Sequence, residues 1–174
     1  VYLPNSIITI DSAAFLGCSS LHNIDIPNSV TYIGHRSFDN CISLQSINVA
    51  NDNQMYKSVN GVLYDKEMTI IYCIPPKIRN NSFIIPKKVN TIKSCALKDC
   101  SSLQFINIPN SVTNIEFYAL FNRCISLQSI NVANDNSKYK SVNGVLYDKN
   151  MTIIYRVPPK IRNNYIKKFK TSID

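Results

Sequence analysis

The sequence predicts one solenoid, predominantly β with short helical or 3-10 corners, whose parallel sheet is interrupted by two antiparallel three-stranded hairpin inserts. Three observations point there. First, a 23-residue unit occurs four times: LPNSIITIDSAAFLGCSSLHNID from Leu3, IPNSVTYIGHRSFDNCISLQSIN from Ile26, IPKKVNTIKSCALKDCSSLQFIN from Ile85 and IPNSVTNIEFYALFNRCISLQSIN from Ile108, the last one residue longer. Second, YKSVNGVLYDKEMTIIY at Tyr56 returns after 83 positions at Tyr139 with one change, Glu67 for Asn150. Third, apolar and polar residues alternate over only a few positions per unit. No unit can bury its own apolar face, but stacked units cover one another.

In chain order, units fill residues 1–48, an insert follows at 49–84, units return at 85–131, a second insert spans 132–164 and a basic tail closes at 165–174. Within a unit, Leu21-x-x-Ile24-x-Ile26 reads as one strand, because Ile24 and Ile26 alternate with Asn23 and Asp25. The cluster Pro27-Asn28-Ser29 turns the chain, and Val30-x-x-Ile33 is a second, shorter extended piece. A small residue followed by a large one then marks a corner: Ala14-Phe15, Ser37-Phe38, Ala96-Leu97 and Ala119-Leu120. In the insert, Asn60-Gly61 is a strong hairpin signal, since both residues tolerate positive φ. A second reversal through Asp65–Met68 leads into Thr69–Tyr72, and Pro75-Pro76 ends that strand.

Taken as Ile-Pro-Asn-Ser-Val-Thr-x-Ile-Gly-x-x-(Ala/Ser)-Phe-x-x-Cys-x-Ser-Leu-x-x-Ile, the unit closely resembles the BspA-type leucine-rich repeat over residues 1–48 and 85–131. The inserts resemble the spacer hairpins of such arrays. Lys93 and Glu116 depart from the pattern where the second unit has Gly34, which touches the local corner geometry. The resemblance implies a curved leucine-rich-repeat solenoid with parallel strands on its concave face. It also implies a cell-surface or secreted protein of a host-associated microbe, concerned with adhesion and protein binding. Val1-Tyr2-Leu3 matches Ile24-Asp25-Ile26, so the chain is expected to begin in mid-repeat and to belong to a longer array.

Composition narrows the function. The 174 residues carry a net charge of +8 and a 45% hydrophobic share, that of a folded soluble protein. No run of 18 apolar residues occurs, which excludes a membrane-spanning helix. The positive excess gathers in PPKIRNN at 75–81 and 158–164 and in the tail. Lys160, Arg162, Lys167, Lys168 and Lys170 are therefore either solvated loop residues or a patch for polyanions such as acidic glycans. Nucleic acid is not an expected partner, because no RNP, zinc-finger or helix-turn-helix pattern is present.

Cys18, Cys41, Cys100 and Cys124 share one repeat position, which reads as a buried free thiol acting as a small hydrophobe. A Cys18–Cys41 bridge between neighbouring rungs is the alternative. No C-x-x-C supports zinc, and Cys73 and Cys95 stand alone. Six unpaired thiols would favour a cytoplasmic protein-interaction scaffold, the second reading of function. His22 and His35 read as lone surface residues, and Asp52 and Asp135, within NDN, as turn residues and not calcium ligands. Glycosylation sequons begin at Asn80 and Asn150. There is no G-x-S-x-G, no paired carboxylate spacing and no Gly-rich phosphate loop, so no enzyme, cofactor or metal is expected. Tyr56, Tyr64 and Tyr72, with Tyr139, Tyr147 and Tyr155, are either packing residues or an aromatic platform.

By alternation, Asn23, Asp25, Ser46, Asn48, Phe105, Asn107, Ser129 and Asn131 point outward from the concave strands. This row is small, polar and nearly uncharged, with Phe105 the exception. It suits a protein or glycan partner held by hydrogen bonds.

Overall fold

The computed structural model describes residues 1–78, 81–116, 118 and 120–161. The first half holds β1 (Thr9–Ile10), β2 (Asn23–Ile26), β3 (Tyr32–Ile33), β4 (Ser46–Val49), β5 (Tyr56–Val59), β6 (Val62–Asp65) and β7 (Ile70–Cys73). The second holds β8 (Ser82–Ile84), β9 (Thr91–Ile92), β10 (Phe105–Ile108), β11 (Asn114–Ile115), β12 (Ser129–Val132), β13 (Tyr139–Val142), β14 (Val145–Asp148) and β15 (Ile154–Arg156). Long strands pair in parallel on one face, β2 with β4, and β10 with β8 on one side and β12 on the other. Short strands pair on another, β1 with β3 and β9 with β11. Equivalent residues sit side by side, Ile24 against Ile47 and Ile106 against Ile130. Register is set because only that pairing keeps every isoleucine inside. All four are fully buried, each contributing about 1.5–3 kcal/mol of transfer free energy.

The corners differ from the expected helical or 3-10 turns. They are hydrogen-bonded turns with left-handed residues at two recurring positions. Ala13, Arg36 and Cys95 hold the first, all at φ 60, and Gly17, Asn40, Asp99 and Arg123 the second. The physical reason is the stacking. Alternate amides leave the turn to bond the next rung, as in Ala13 N to His35 O at 3.0 Å, Phe15 N to Ser37 O at 2.9 Å and Gly17 N to Asp39 O at 2.8 Å. The amides between them close local turns, such as Ala14 N to Asp11 O at 3.1 Å. A continuous helix would need all of them locally.

Each insert is an antiparallel meander, β5-β6-β7 and β13-β14-β15. Asn60 and Gly61 have φ of 52 and 80, and Asn143 and Gly144 have 51 and 78, the pair of positive values that a two-residue hairpin of matching twist requires. At the second reversal the Asp65 carboxylate accepts from the amides of Thr69 and Ile70 at 2.7 and 2.6 Å. β6 is the wall between two cores: Leu63 packs with the first two units, and Val62 and Tyr64 pack with the last two.

A buried asparagine locks each insert to the unit before it. The Asn53 amide donates to Pro27 O and Val30 O at 2.9 and 3.0 Å, and its carbonyl accepts from Met55 N and Tyr56 N at 2.9 and 2.8 Å. Asn136 repeats the arrangement with Pro109 O, Val112 O, Lys138 N and Tyr139 N. Asn53→Ala leaves four backbone groups without that partner, so chemical denaturation should show a loss of about 3 kcal/mol. A loss below about 1 kcal/mol would mean that those groups find other partners.

Candidate functional site

The long-strand face, expected to be concave, carries its outward side chains in two blocks. In the first, Asn23 stands beside Ser46 and Asp25 beside Asn48. The Ser46 hydroxyl donates to Asn48 Oδ1 at 2.7 Å, and the Asn48 amide donates to Asp25 Oδ1 at 2.8 Å. In the second, Phe105 stands beside Ser129 and Asn107 beside Asn131. Here the Ser129 hydroxyl donates to Asn131 Oδ1 at 2.8 Å and the Asn131 amide to Asn107 Oδ1 at 2.9 Å. The same chain of hydroxyl and amides is thus built twice.

The eight positions do not form one unbroken row. Among the described residues no strand pairing joins β4 to β8, because the first insert occupies the edge of β4. Gly61 O accepts from Ile47 N at 3.0 Å, and the Ser58 hydroxyl accepts from Val49 N at 2.9 Å. The chain comes so close at Gly61 that an added Cβ would lie 3.1 Å from the Cα and hydroxyl of Ser46. Gly144 O caps Ile130 N in the same way, at 3.0 Å. β8 also adds two residues that alternation within the four units leaves out, Ser82 and Ile84, the latter 71% exposed. Their signal lay in Phe83-Ile84-Ile85-Pro86, which parallels Ile24-Asp25-Ile26-Pro27.

On the short-strand face the insert's first tyrosine closes the other edge. Tyr56 OH accepts from Ile33 N at 2.9 Å and Tyr139 OH from Ile115 N at 3.0 Å. Tyr56, Tyr64 and Tyr139 are buried, and burial pushes the Tyr64 hydroxyl up to about 12. Tyr72 meets Tyr56 edge-on with ring centres 5.4 Å apart. Tyr56, Tyr64 and Tyr72 are packing residues of a seam, and Tyr139 meets Tyr155 with ring centres 5.8 Å apart.

Polar contacts join units two and three across that seam. Lys98 Nζ lies 2.9 Å from Asp39, which Arg36 also meets at 3.0 Å. His35, expected to be alone at the surface, has Nε2 2.6 Å from the Ser94 hydroxyl. Beside them a cleft of about 410 Å³ is lined by Tyr32, His35, Arg36, Tyr72, Lys93 and Glu116. Lys93 and Glu116 pair at 2.8 Å. Burial opposes ionisation of Glu116, but the Lys93 ammonium and the Ser94 amide hold its carboxyl below the ordinary value.

All six cysteines are free. The repeat-position thiols donate to the rung before them: Cys41 to Phe15 O at 3.1 Å, Cys100 to Ile74 O at 3.6 Å and Cys124 to Leu97 O at 3.0 Å. Cys18, in the first rung, is exposed. Asp52 and Asp135 accept from the Asn28 and Asn110 amides at 2.6 Å, tying each insert to a Pro-Asn-Ser turn. Among the described residues no three His, Cys, Asp or Glu side chains are grouped as metal ligands. Of the basic residues, Lys160 is exposed, whereas Arg162, Lys167, Lys168 and Lys170 lie outside the described residues, as does Asn80 of the first sequon.

The chain matches the model of the BspA type Leucine rich repeat region, in six copies, over residues 1–80 and 76–154. It therefore belongs to the BspA-type leucine-rich-repeat family. Among solved structures it is similar to a leucine rich cell surface protein from Faecalibacterium prausnitzii, at 29% identity and a TM-score of 0.68, over 80% of this chain and 36% of that one. It is also similar to the pneumococcal vaccine antigen PcpA, at 26% identity and a TM-score of 0.62, over 66% of this chain and 28% of that one. The alignments take in about a third of the length of these proteins. No curated protein sequence matches.

The thiols make a measurable difference. Burial pushes Cys41 up to about 11 and Cys124 to about 12. At dilute protein concentration near neutral pH, the native chain should give Cys18 as its fast-reacting thiol, with Cys41, Cys100 and Cys124 silent, and all six after unfolding. Because these folded values are raised, the stability they contribute is complete below the ordinary thiol value of 9.0 and is lost as the pH climbs through 11 to 12. Rapid labelling of Cys124, or an unfolding midpoint that does not fall over that window, would contradict the arrangement.

Proposed function

We propose that this member of the BspA-type leucine-rich-repeat family is a non-enzymatic interaction module of a cell-surface or secreted protein. It engages a protein or glycan partner on its long-strand face. The observation that carries this reading is the duplicated hydroxyl–amide chain. Ser46, Asn48 and Asp25, like Ser129, Asn131 and Asn107, are already held in one geometry. Such a row gives a partner directional donors and acceptors at little ordering cost. Phe105 and Ile84 stand on the same face as apolar anchors. The surface location rests on the kinship with a leucine rich cell surface protein and a vaccine antigen.

A second reading, an intracellular scaffold, is favoured by the six free thiols. Staining of intact source cells with an antibody distinguishes the two, since signal only after permeabilisation supports the scaffold. Polyanion binding through Lys160 and the tail is the third.

Binding of labelled protein to a glycan array and to immobilised extracellular proteins tests the site. Phe105→Ala with Asn131→Ala should weaken capture at least tenfold, about 1.4 kcal/mol, without moving Tm. If capture survives that pair and is lost instead on Lys160→Glu, the basic region is the binding surface.

A further inference from the structure

The short-strand face holds a recess that the outward row of the long strands does not share. β3 pairs with β1, and β9 lies between β7 and β11, so the ladder is interrupted between β3 and β9 where the first insert enters. The cleft of about 410 Å³ opens at that break, lined by residues of units two, three and four and of the insert. Its volume lies within the range of small-ligand sites, about 300–1,000 Å³. Tyr32, 51% exposed, gives it an accessible aromatic face, and Met55 and Tyr72 add apolar surface.

The charged groups around the cleft are held in place by their neighbours. Glu116 accepts from Lys93 Nζ at 2.8 Å and from Ser94 N at 3.1 Å, and His35 Nε2 lies 2.6 Å from the Ser94 hydroxyl. Arg36 gives only Nε to Asp39, at 3.0 Å, so the two terminal nitrogens of its guanidinium keep their donors. Lys98 shares the same Asp39 oxygen at 2.9 Å. Two carboxylates, Asp39 and Glu116, thus serve three cations, Arg36, Lys93 and Lys98. Asp65, which also acts on Tyr72, is turned to the Thr69 and Ile70 amides. A guanidinium fork with donors to spare matches a carboxylate through two parallel hydrogen bonds.

We propose that this cleft binds a sugar that carries a carboxylate, a uronic or sialic acid residue of a glycan. The carboxylate would meet the terminal nitrogens of Arg36, the apolar C–H face of the ring would lie on Tyr32, and hydroxyls would reach Glu116 and His35. The surplus cation selects an anionic ligand. The backbone selects a sugar over an acidic peptide. An extended peptide binds by pairing with a strand edge, but the edge amide of Ile33 is taken by the Tyr56 hydroxyl and β9 is paired on both sides. Recognition in the cleft is left to side chains, which suits a compact ring bearing hydroxyls. This site does not rest on the long-strand row.

Ligand-observed NMR titration tests the proposal, with methyl glucuronide and sialyllactose as acidic sugars and methyl glucoside and lactose as their uncharged counterparts. The acidic sugars should bind about tenfold more tightly than the uncharged ones, and less tightly as salt rises. Arg36→Gln should remove that preference with Tm unchanged. Arg36→Lys, which keeps the charge and loses the fork, should fall between the two. Tyr32→Ala should weaken acidic and uncharged sugars alike. Phe105→Ala and Lys160→Glu should leave binding as it is, which separates this cleft from the long-strand face and from the basic region. Acidic sugars that bind no better than uncharged ones, or binding that survives both Arg36→Gln and Tyr32→Ala, would overturn the proposal. So would a glutamate-rich peptide that displaces the sugar at lower concentration than the sugar itself requires.

Discussion

A parallel stack has a backbone problem wherever its repeat stops. Each rung offers amides and carbonyls on both sides, and any of them buried without a partner costs about 1–3 kcal/mol. Everything else in this molecule is arranged around that demand. At β4 and β3 the next repeat unit is absent, and the first insert meets their donors with unlike groups. A turn carbonyl from Gly61 and a hydroxyl from Ser58 serve the long strand, and the phenol of Tyr56 serves the short one. Asn53 then fixes the insert's start, because four backbone groups converge on one side chain that matches all of them. The last strand of the insert is itself a rung, and β9 resumes the stack upon it.

This solution fixes the surface. Since the insert stands at the edge of β4, the outward positions of the long strands divide into two blocks, each with its own chain of hydrogen bonds. Cysteine fits the corner for the same reason. A thiol is small enough for the crowded turn and still donates to the carbonyl of the rung before it, as Cys41 does to Phe15 O. Serine at that place would bring a stronger hydroxyl into a site lined by Leu and Phe, and alanine would leave the carbonyl alone. The fold therefore keeps free thiols without needing them for chemistry.

The repeat, the hairpins and the outward row were legible in the sequence because they depend on spacing alone: period two in the strands, 23 residues between rungs, Asn-Gly at the turn. What remained hidden depends on contacts between distant segments. Asn53 sits in Asn-Asp-Asn, which reads as a surface turn, and nothing local says that Pro27 and Val30 offer carbonyls there. His35 and Ser94, or Asp39 and Lys98, are 59 residues apart and meet only because the insert folds out of their way on that side. The corners misled for a related reason. Small-large pairs such as Ala14-Phe15 suit a helical turn by composition, but half of their amides are claimed by the neighbouring rung. Ile84 escaped because it lies in the segment assigned to the insert, although its neighbours Phe83, Ile85 and Pro86 follow the pattern of the units.

The near-identity of the two inserts separates what sequence dictates from what position dictates. Both copies fold the same turns, with positive φ at Asn60 and Gly61 and again at Asn143 and Gly144. Both place a tyrosine hydroxyl on the preceding short strand. Those features follow from local chemistry and from the unit before the insert, which is present in both cases. Burial does not repeat: Tyr64 is buried and Tyr147 only half-buried, and Ile71 is covered while Ile154 is open. Burial on that side comes from the unit after the insert. An insert is therefore a cap toward the units it follows and a template toward whatever comes next, and its single sequence must serve both roles. That double duty explains why Ile154 and Tyr155 stand on β15 as Ile71 and Tyr72 stand on β7, where the next rung covers them.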